Sequence, residues 1–354
     1  MSPVTDIKAA LAKIAARQDL TLQEMQDAMS LIMTGEAGEA QIGAFLMGLR
    51  MKGESLDEIT GAVTVMRRLA TVVDFGSARG HEHLVDIVGT GGDGANLFNV
   101  STAASFVVAT AGGRVAKHGN RSVSSSSGSA DMLEAAGVSL ALEPAQVVAC
   151  VEKIGVGFMF APAHHSAMRH AIGPRQQLGL RTIFNILGPM TNPAGVRRLL
   201  IGVYDAALCR PVAEVLRRLG AERVLVVHSQ DGLDEISPAA PTHVVEAGGD
   251  AASDGLREYD IEPADFGLPR SSLDGLEVGS ALESLDLVRA ALSGAPGERA
   301  ERARRAVALN AGAALYVAGL QVSIADGVAE AMRLLQTGKP WLRLEALADF
   351  TAGF

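Results

Sequence analysis

Between Leu84 and Gly137 the chain twice repeats one pattern: an apolar run, a glycine- or serine-rich loop and a helix-like segment. In the first unit Leu84-Val85-Asp86-Ile87-Val88 runs into Gly89-Thr90-Gly91-Gly92-Asp93-Gly94, then into Asn99-Val100-Ser101-Thr102 and an alanine-rich helix pattern. In the second, an apolar piece ending at Lys117 leads through Lys117-His118-Gly119-Asn120-Arg121 and the serines between 122 and 129 to Asp131-Met132-Leu133-Glu134-Ala135-Ala136-Gly137. Strands that alternate with helices demand crossover connections, so the chain must build a mostly parallel sheet with its active loops at the carboxyl ends of the strands. Both loops then lie on one edge of that sheet.

The rest of the chain fits around this unit. Short apolar runs at 84–88, 114–117, 157–160, 198–203, 223–228 and 242–246 are the expected strands. The first seventy residues instead alternate at helical period, with helices expected at 6–16, 22–34, 38–52 and 56–71. Thr21 with Glu24 and Ser55 with Glu58 match the capping box, and Gly35 and Gly53 stand where helices stop. The apolar stripes of this unit, which include Leu31, Ile32, Ile42, Phe45, Leu46 and Leu49, must pack against the α/β part or against a second copy. The fold class is therefore α/β: a small all-helical N-terminal domain over 1–73, and a larger domain over 74–354 with a mostly parallel central sheet flanked by helices. Gly173-Pro174, Gly188-Pro189 and Asn192-Pro193 break regular structure and mark a hinge or crossover, a segment at about 174–193 that returns to the helical domain. The Ala/Leu-rich stretch from Ala306 to Leu320 is apolar nearly all round and is expected to be buried.

Composition narrows the partners. A formal net charge of −9 without a long Lys/Arg run argues against a nucleic-acid binder. Cys150 and Cys209, far from CxxC spacing, are expected as buried free thiols in a reducing compartment. No signal-type core or apolar span of bilayer length is present, so no membrane partner and a cytoplasmic location are expected.

Each strand-loop-helix junction offers backbone N–H groups and a helix N-terminus to one anion. Two of them suit a ligand with two phosphate groups, such as a sugar carrying a phosphate and a pyrophosphate. The first loop lacks a Walker lysine and the dinucleotide spacing, yet four glycines in six residues exceed the needs of a turn. Ser101 or Thr102 sits where an N-cap belongs and can either cap or reach a ligand's metal. In the second loop Lys117 supplies a point charge, while Asn120, Ser124, Ser125 and Ser129 supply neutral hydrogen bonds. Asp234-Glu235, in the loop after the strand at 223–228, suits Mg²⁺, which prefers oxygen ligands and keeps substrate phosphates in its shell. His164, His165 and His170 lack tetrahedral zinc spacing, and one of them lining an aromatic substrate pocket fits better. Arg175 can fork onto a carboxylate.

At these residues the chain resembles the anthranilate phosphoribosyltransferase family. The matching pieces, in family order, are Gly89-Thr90-Gly91-Gly92-Asp93, Asn99-Val100-Ser101-Thr102, Lys117-His118-Gly119-Asn120-Arg121, Ser127-Gly128-Ser129-Ala130-Asp131, Phe160-Ala161-Pro162 with His165, Arg175, Thr182 to Pro189, and Gly232-Leu233-Asp234-Glu235. The resemblance implies transfer of the phosphoribosyl group of phosphoribosyl pyrophosphate (PRPP) to the amine of anthranilate, with release of pyrophosphate, in tryptophan biosynthesis. It also implies a homodimer through the helical domains and two Mg²⁺ ions held by Ser101, Asp234 and Glu235. Gly89, Gly92, Asp93, Asn99, Ser101, Thr102, Lys117 and Ser129 would contact PRPP. Asn120 and Arg175 would hold anthranilate, with His118, Pro162 and His165 lining its channel; Gly119, Arg121, Ser124 and Ser125 complete the substrate loop. Lys117, Asn120 and Arg175 are the candidate catalytic residues. Leu97 departs from the family, where many members carry a hydroxyl residue, and is left out of the site.

Departure of a multiply charged leaving group needs electrostatic help, which Mg²⁺, Lys117 and loop N–H groups can supply. No strong base is needed by an aryl amine that already presents a free lone pair, so positioning supplies much of the rate. A pyrimidine nucleoside phosphorylase of the related fold is the enzymatic rival, disfavoured by the Lys-His-Gly-Asn-Arg loop and the Asp-Glu pair. A nucleic-acid-binding relative is disfavoured by the acidic charge.

Overall fold

The computed structural model describes residues 6–76, 82–122, 126–248 and 255–354; Ser124 and Ser125 of the second loop lie outside them. The chain opens with four helices, α1 (Ile7–Ala15), α2 (Leu22–Thr34), α3 (Glu39–Lys52) and α4 (Leu56–Leu69). Both expected capping boxes form: Thr21 Oγ1 accepts from Glu24 N at 3.3 Å while Glu24 Oε2 accepts from Thr21 N at 2.9 Å. Ser55 and Glu58 do the same at 3.3 and 2.7 Å. Gly35 closes α2 with a left-handed φ of 82°, a conformation that glycine adopts without strain.

Next come β1 (Leu84–Gly89), α5 (Val100–Thr110), β2 (Arg114–Gly119), α6 (Ser129–Ala135), α7 (Pro144–Ile154) and β3 (Val156–Phe160). The helices α8 (Ala161–His164), α9 (Arg169–Leu178) and α10 (Phe184–Leu187) follow, then β4 (Arg198–Gly202), α11 (Cys209–Arg218), β5 (Arg223–Ser229), β6 (Thr242–Gly248) and β7 (Leu256–Ile261). The chain ends in α12 (Ala281–Leu292), α13 (Glu298–Val317), α14 (Ile324–Leu335) and α15 (Lys339–Ala352). Among the described residues the strands form one sheet in the order β3-β2-β1-β4-β5-β6-β7. The first five strands pair in parallel, and β6 and β7 are antiparallel.

Four details differ from the sequence expectation. The strand at 242–246 is present, but no helix separates it from β5, so it returns antiparallel. Its neighbour β7, Leu-Arg-Glu-Tyr-Asp-Ile, was not expected: it is an edge strand whose exposed Arg257 and Glu258 mask its apolar residues. Lys117, His118 and Gly119 belong to β2 itself, paired with Phe158, Met159 and Phe160, rather than to the loop behind it. Gly173-Pro174 does not break structure, because Pro174 lies inside α9.

The sheet is buried on both faces. Ile87, Leu200, Leu225, Val227 and Val244 join a core with α5, α12 and α13. Leu199, Ile201, Val224, Val226 and Val245 join the other core, which runs without interruption into α1–α4 through α11 and residues 183–190. The segment α9 packs against α2 and α3. Ala306 to Val317 is buried apart from half-buried Tyr316, as its composition required. No helix among the described residues is long and apolar enough to cross a membrane.

Candidate active site

The chain leaves β1 toward β2 on one side and comes back to the other side of β1 as β4, so the strand order reverses between β1 and β4. A crevice opens at the carboxyl ends of strands at such a point. Three loops meet there: the glycine loop after β1, the turn after β4 and the Asp234-Glu235 loop after β5. Thr90 N donates to Gly202 O at 2.9 Å, and Tyr204 N donates to Thr90 Oγ1 at 3.1 Å.

Gly89 and Gly202 stand opposite each other in the β1–β4 ladder, and the space that their side chains would fill belongs to Asp234. A Cβ on Gly89 would overlap Asp234 Oδ2; one on Gly202 would overlap the Asp234 main chain. Asp234 Oδ2 thereby reaches Gly91 N at 2.6 Å. Gly91, Gly92 and Gly94 have φ values of 67°, 79° and 77°, which turn the loop through conformations that side chains disfavour. Asp93 Oδ1 accepts from Ala95 N at 3.2 Å.

Helix α5 points its N-terminus into the same crevice. Asn99 is its N-cap residue rather than Ser101 or Thr102, and its side chain does not cap. Asn99 Oδ1 instead accepts from Ser127 Oγ at 2.8 Å and Ser284 Oγ at 2.7 Å, which ties the first loop to the second. That frees Ser101: its N–H donates to Glu235 Oε1 at 3.2 Å, and its Oγ accepts from Lys117 Nζ at 3.2 Å. Thr102 is buried and its hydroxyl has no partner among the described residues.

Lys117 is 2% exposed, and besides Ser101 its ammonium donates to Ile87 O at 2.5 Å. Burial lowers its pKa against the opposing pull of Asp86, Glu235 and Asp234. Burial also drives the acids the other way: Asp234 is pushed up to about 7, with Asp93 adding to the shift, and Glu235 to about 8, with Asp234 adding to it. Glu235 Oε2 is buried without a partner among the described residues. Two crowded carboxylates that hold their protons near neutrality, with an orphaned oxygen, are what a cation's ligands look like before the cation binds. Among the described residues no three-membered cluster of His, Cys, Asp and Glu makes a closed metal cage. The set of Asp234, Glu235 and the Ser101 hydroxyl fits Mg²⁺, which takes one or two carboxylates and completes its shell with water and phosphate oxygens.

The second loop leaves β2 at Gly119, whose missing side chain makes room for Ser129 Oγ and the Phe158 ring. Ser129 opens α6 and donates to Asn120 O at 3.3 Å. Asn120 Oδ1 accepts from Arg121 N at 2.8 Å, leaving the Asn120 amide N–H groups without a described acceptor. Arg121 is engaged by acids: it pairs with Glu134 and, at 3.3 Å, with Asp131, over the Phe160 ring. Its hydrogen bond to Glu134 raises its pKa.

Behind the second loop lies an aromatic-lined wall. The rings of His118 and His165 stand 5.1 Å apart, both buried, and both Nε2 atoms lack partners among the described residues. Burial depresses His118 to about 3 and His165 to about 4, each lowered further by neighbouring imidazoles, so both rings are neutral at physiological pH. Pro162 lies in α8, just before His165. His164 turns away, with Nδ1 3.0 Å from Thr71 O, and His170 packs against Gly35. Arg175, in the last turn of α9, lies over the Phe184 ring at 5.1 Å. No carboxylate among the described residues pairs with it, and burial lowers its pKa. Leu97 pairs with Glu277 in an isolated bridge.

Sequence reasoning missed three contributors. Asp86, fully buried in β1, accepts from Asn192 Nδ2 at 2.7 Å and from His118 N at 3.2 Å, and so links the segment at 192 to β2. An acid inside an apolar strand was the available signal. Asn192 was seen only as half of a breaking Asn-Pro pair. Arg181, which lies over the Tyr204 ring at 4.1 Å and donates to Gly92 O, left no local signal at all.

The helical bundle domain of a glycosyl transferase family matches residues 8–70, and the a/b domain of that glycosyl transferase family matches residues 81–341. An anthranilate phosphoribosyltransferase of Azotobacter vinelandii is 60% identical over 349 residues, 99% of this chain and 98% of that protein. One of Marinobacter nauticus is 60% identical over 350 residues, 99% of this chain and 100% of that protein. Among solved structures, anthranilate phosphoribosyltransferase from Thermus thermophilus superposes with a TM-score of 0.88 at 40% identity, covering 97% of this chain and 99% of that one. The enzyme from Saccharomyces cerevisiae in complex with PRPP and Mg gives 0.87 at 25% identity, covering 98% of each chain. The chain belongs to the anthranilate phosphoribosyltransferase family.

Proposed function

We propose that this chain transfers the phosphoribosyl group of PRPP to the amine of anthranilate and releases pyrophosphate. The observation that carries this reading is the crevice at the β1–β4 reversal, where a glycine loop open to an anion faces buried Asp234 and half-buried Glu235. The yeast relative bound to PRPP and Mg supports a diphosphate-bearing donor and Mg²⁺ as its ion.

The donor's charged groups lie against the N–H groups of residues 92–94, the α5 N-terminus with Ser101 and Thr102, Lys117 and the start of α6 at Ser129. Asn99 holds the two loops together from behind. Ser101, Asp234 and Glu235 hold Mg²⁺, two ions in our proposal, and bound metal supplies neutralisation of charge on the departing pyrophosphate. Lys117 adds a nitrogen donor that is already desolvated and held in place, so it costs no reorganisation when the leaving group gains charge. Arg175, without a carboxylate partner among the described residues and resting on an aromatic ring, suits the anthranilate carboxylate. Asn120 offers its amide from the second loop, and Pro162 with the neutral rings of His118 and His165 suits the flat face of the acceptor. The amine attacks the anomeric carbon with its own lone pair as the carbon–oxygen bond to pyrophosphate breaks with its electron pair, and the surplus ammonium proton passes to solvent after the carbon–nitrogen bond forms. Catalysis is then placement plus electrostatics.

The helical unit divides from the α/β unit at about residue 73, with 174–193 returning to it. Exposed Leu22, Met51 and Leu69 on that unit support association with a second copy. The buried free thiols of Cys150 and Cys209, pushed up to about 11 and about 12 by burial, suit a reducing cytoplasm. The test is the loss of anthranilate fluorescence on mixing protein, Mg²⁺ and PRPP. Folded protein that leaves the fluorescence unchanged would remove the assignment.

A further inference from the structure

We infer that Arg181 is a positioning residue for the donor: it sets the direction in which the glycine loop presents its N–H groups. The inference rests on the reading of that loop as the PRPP cradle. Arg181 follows α9, outside the three loops that line the crevice, and its guanidinium donates to the carbonyl oxygen of Gly92. In a trans peptide the carbonyl and the next N–H point in opposite directions. Holding Gly92 O toward Arg181 therefore turns the N–H of Asp93 away from Arg181. That N–H has no acceptor among the described residues.

The guanidinium is itself held from two sides. Its Cζ lies over the Tyr204 ring, 4.1 Å from the ring centre, and Tyr204 N donates to Thr90 Oγ1 at 3.1 Å within the same loop system. Arg50 of α3 donates to the main-chain oxygen of Arg181, so the helical bundle anchors the residue that anchors the loop. No carboxylate among the described residues pairs with Arg181, although the side chain is exposed. A surface arginine spent on one carbonyl and one ring face has a geometric task. Gly92 carries the matching requirement: its φ is 79°, and a Cβ there would lie 3.1 Å from Arg181 Nη2.

The test is a double-mutant cycle on Arg181→Ala and Gly92→Ala, read as the dissociation constant of Mg²⁺ and PRPP by calorimetry and as KM for PRPP and for anthranilate. Each single variant is expected to weaken PRPP about tenfold, the order carried by one charge-assisted hydrogen bond. KM for anthranilate should stay within about twofold, and the double variant should bind PRPP no more weakly than the more damaged single variant, because both act on one peptide unit. Arg181→Lys, which can still donate but cannot stack flat, should recover part of the loss. Additive losses, or equal losses for both substrates in variants that melt like the wild type, would overturn the inference. Wild-type protein that fails to bind PRPP would instead remove the reading of the loop itself.

Discussion

Replacing Gly89 by alanine isolates the packing that delivers Asp234 to the crevice. Gly89 does not have a left-handed φ, so alanine brings no backbone strain, and the effect arises from one added methyl group. That methyl would overlap Asp234 Oδ2 and lie 3.0 Å from its Cγ. The carboxylate must swing aside, and the hydrogen bond from Gly91 N at 2.6 Å breaks. A bond of this charge-assisted kind contributes about 1.5–3 kcal/mol, which converts to about 10- to 150-fold in kcat/KM for PRPP. KM for anthranilate, whose expected contacts lie with Arg175 and the second loop, should change by less than about twofold. Initial rates of fluorescence loss at varied PRPP and saturating Mg²⁺ measure both, with thermal melts reporting the fold. A Gly89→Ala protein with native kcat/KM for PRPP and a native melt would refute the claim that Asp234 is placed by the gap at Gly89.

Arg175→Ala should raise KM for anthranilate far more than KM for PRPP in initial-rate measurements; equal effects would remove Arg175 from the acceptor side. Because Asp234 and Glu235 hold protons up to about 7 and about 8, Mg²⁺ must displace those protons, and its affinity falls as pH falls. The half-saturating Mg²⁺ concentration at fixed PRPP should rise by up to about tenfold per proton displaced per pH unit between pH 8 and 6; a pH-independent value would contradict this. Glu58 is fully buried and accepts from Leu20 N at 3.0 Å, Ser55 N at 2.7 Å and Lys52 Nζ at 2.8 Å. Glu58→Ala strands the N–H groups of Leu20 and Ser55, while Lys52 Nζ keeps Asp19 Oδ1 at 2.6 Å and Gly53 O at 2.7 Å, and should cost about 2–5 kcal/mol in a denaturant titration; a loss below about 1 kcal/mol would contradict that role.

What the sequence disclosed follows from the range of the interactions involved. The helices α2 and α4 were legible because a capping box is complete within four residues, and the parallel half of the sheet because each strand-loop-helix unit repeats the same local chemistry. Gly89, Ser101, Lys117, Asp234 and Glu235 were legible as candidate residue types, and the fold brings them into one crevice. Their geometry was not legible: that Gly89 and Gly202 vacate space for Asp234, or that Lys117 sits inside β2, depends on register between strands far apart in sequence. Glu58 had a local signature for its cap but none for its reach to Leu20 and Lys52. The pairing of Arg121 was not legible because its partners Glu134 and Asp131 belong to the next helix. Strand β7 escaped notice because an edge strand carries charges on its solvent side.

The measurement that bears most directly on the proposed activity is the stoichiometry of turnover, with pyrophosphate release and anthranilate consumption followed in the same reaction. One pyrophosphate should appear for each anthranilate consumed, only with PRPP and Mg²⁺ both present, and the combined Asp234→Asn and Glu235→Gln variant should show neither. Pyrophosphate release that proceeds at the same rate without anthranilate, or anthranilate consumption without pyrophosphate, would contradict the account.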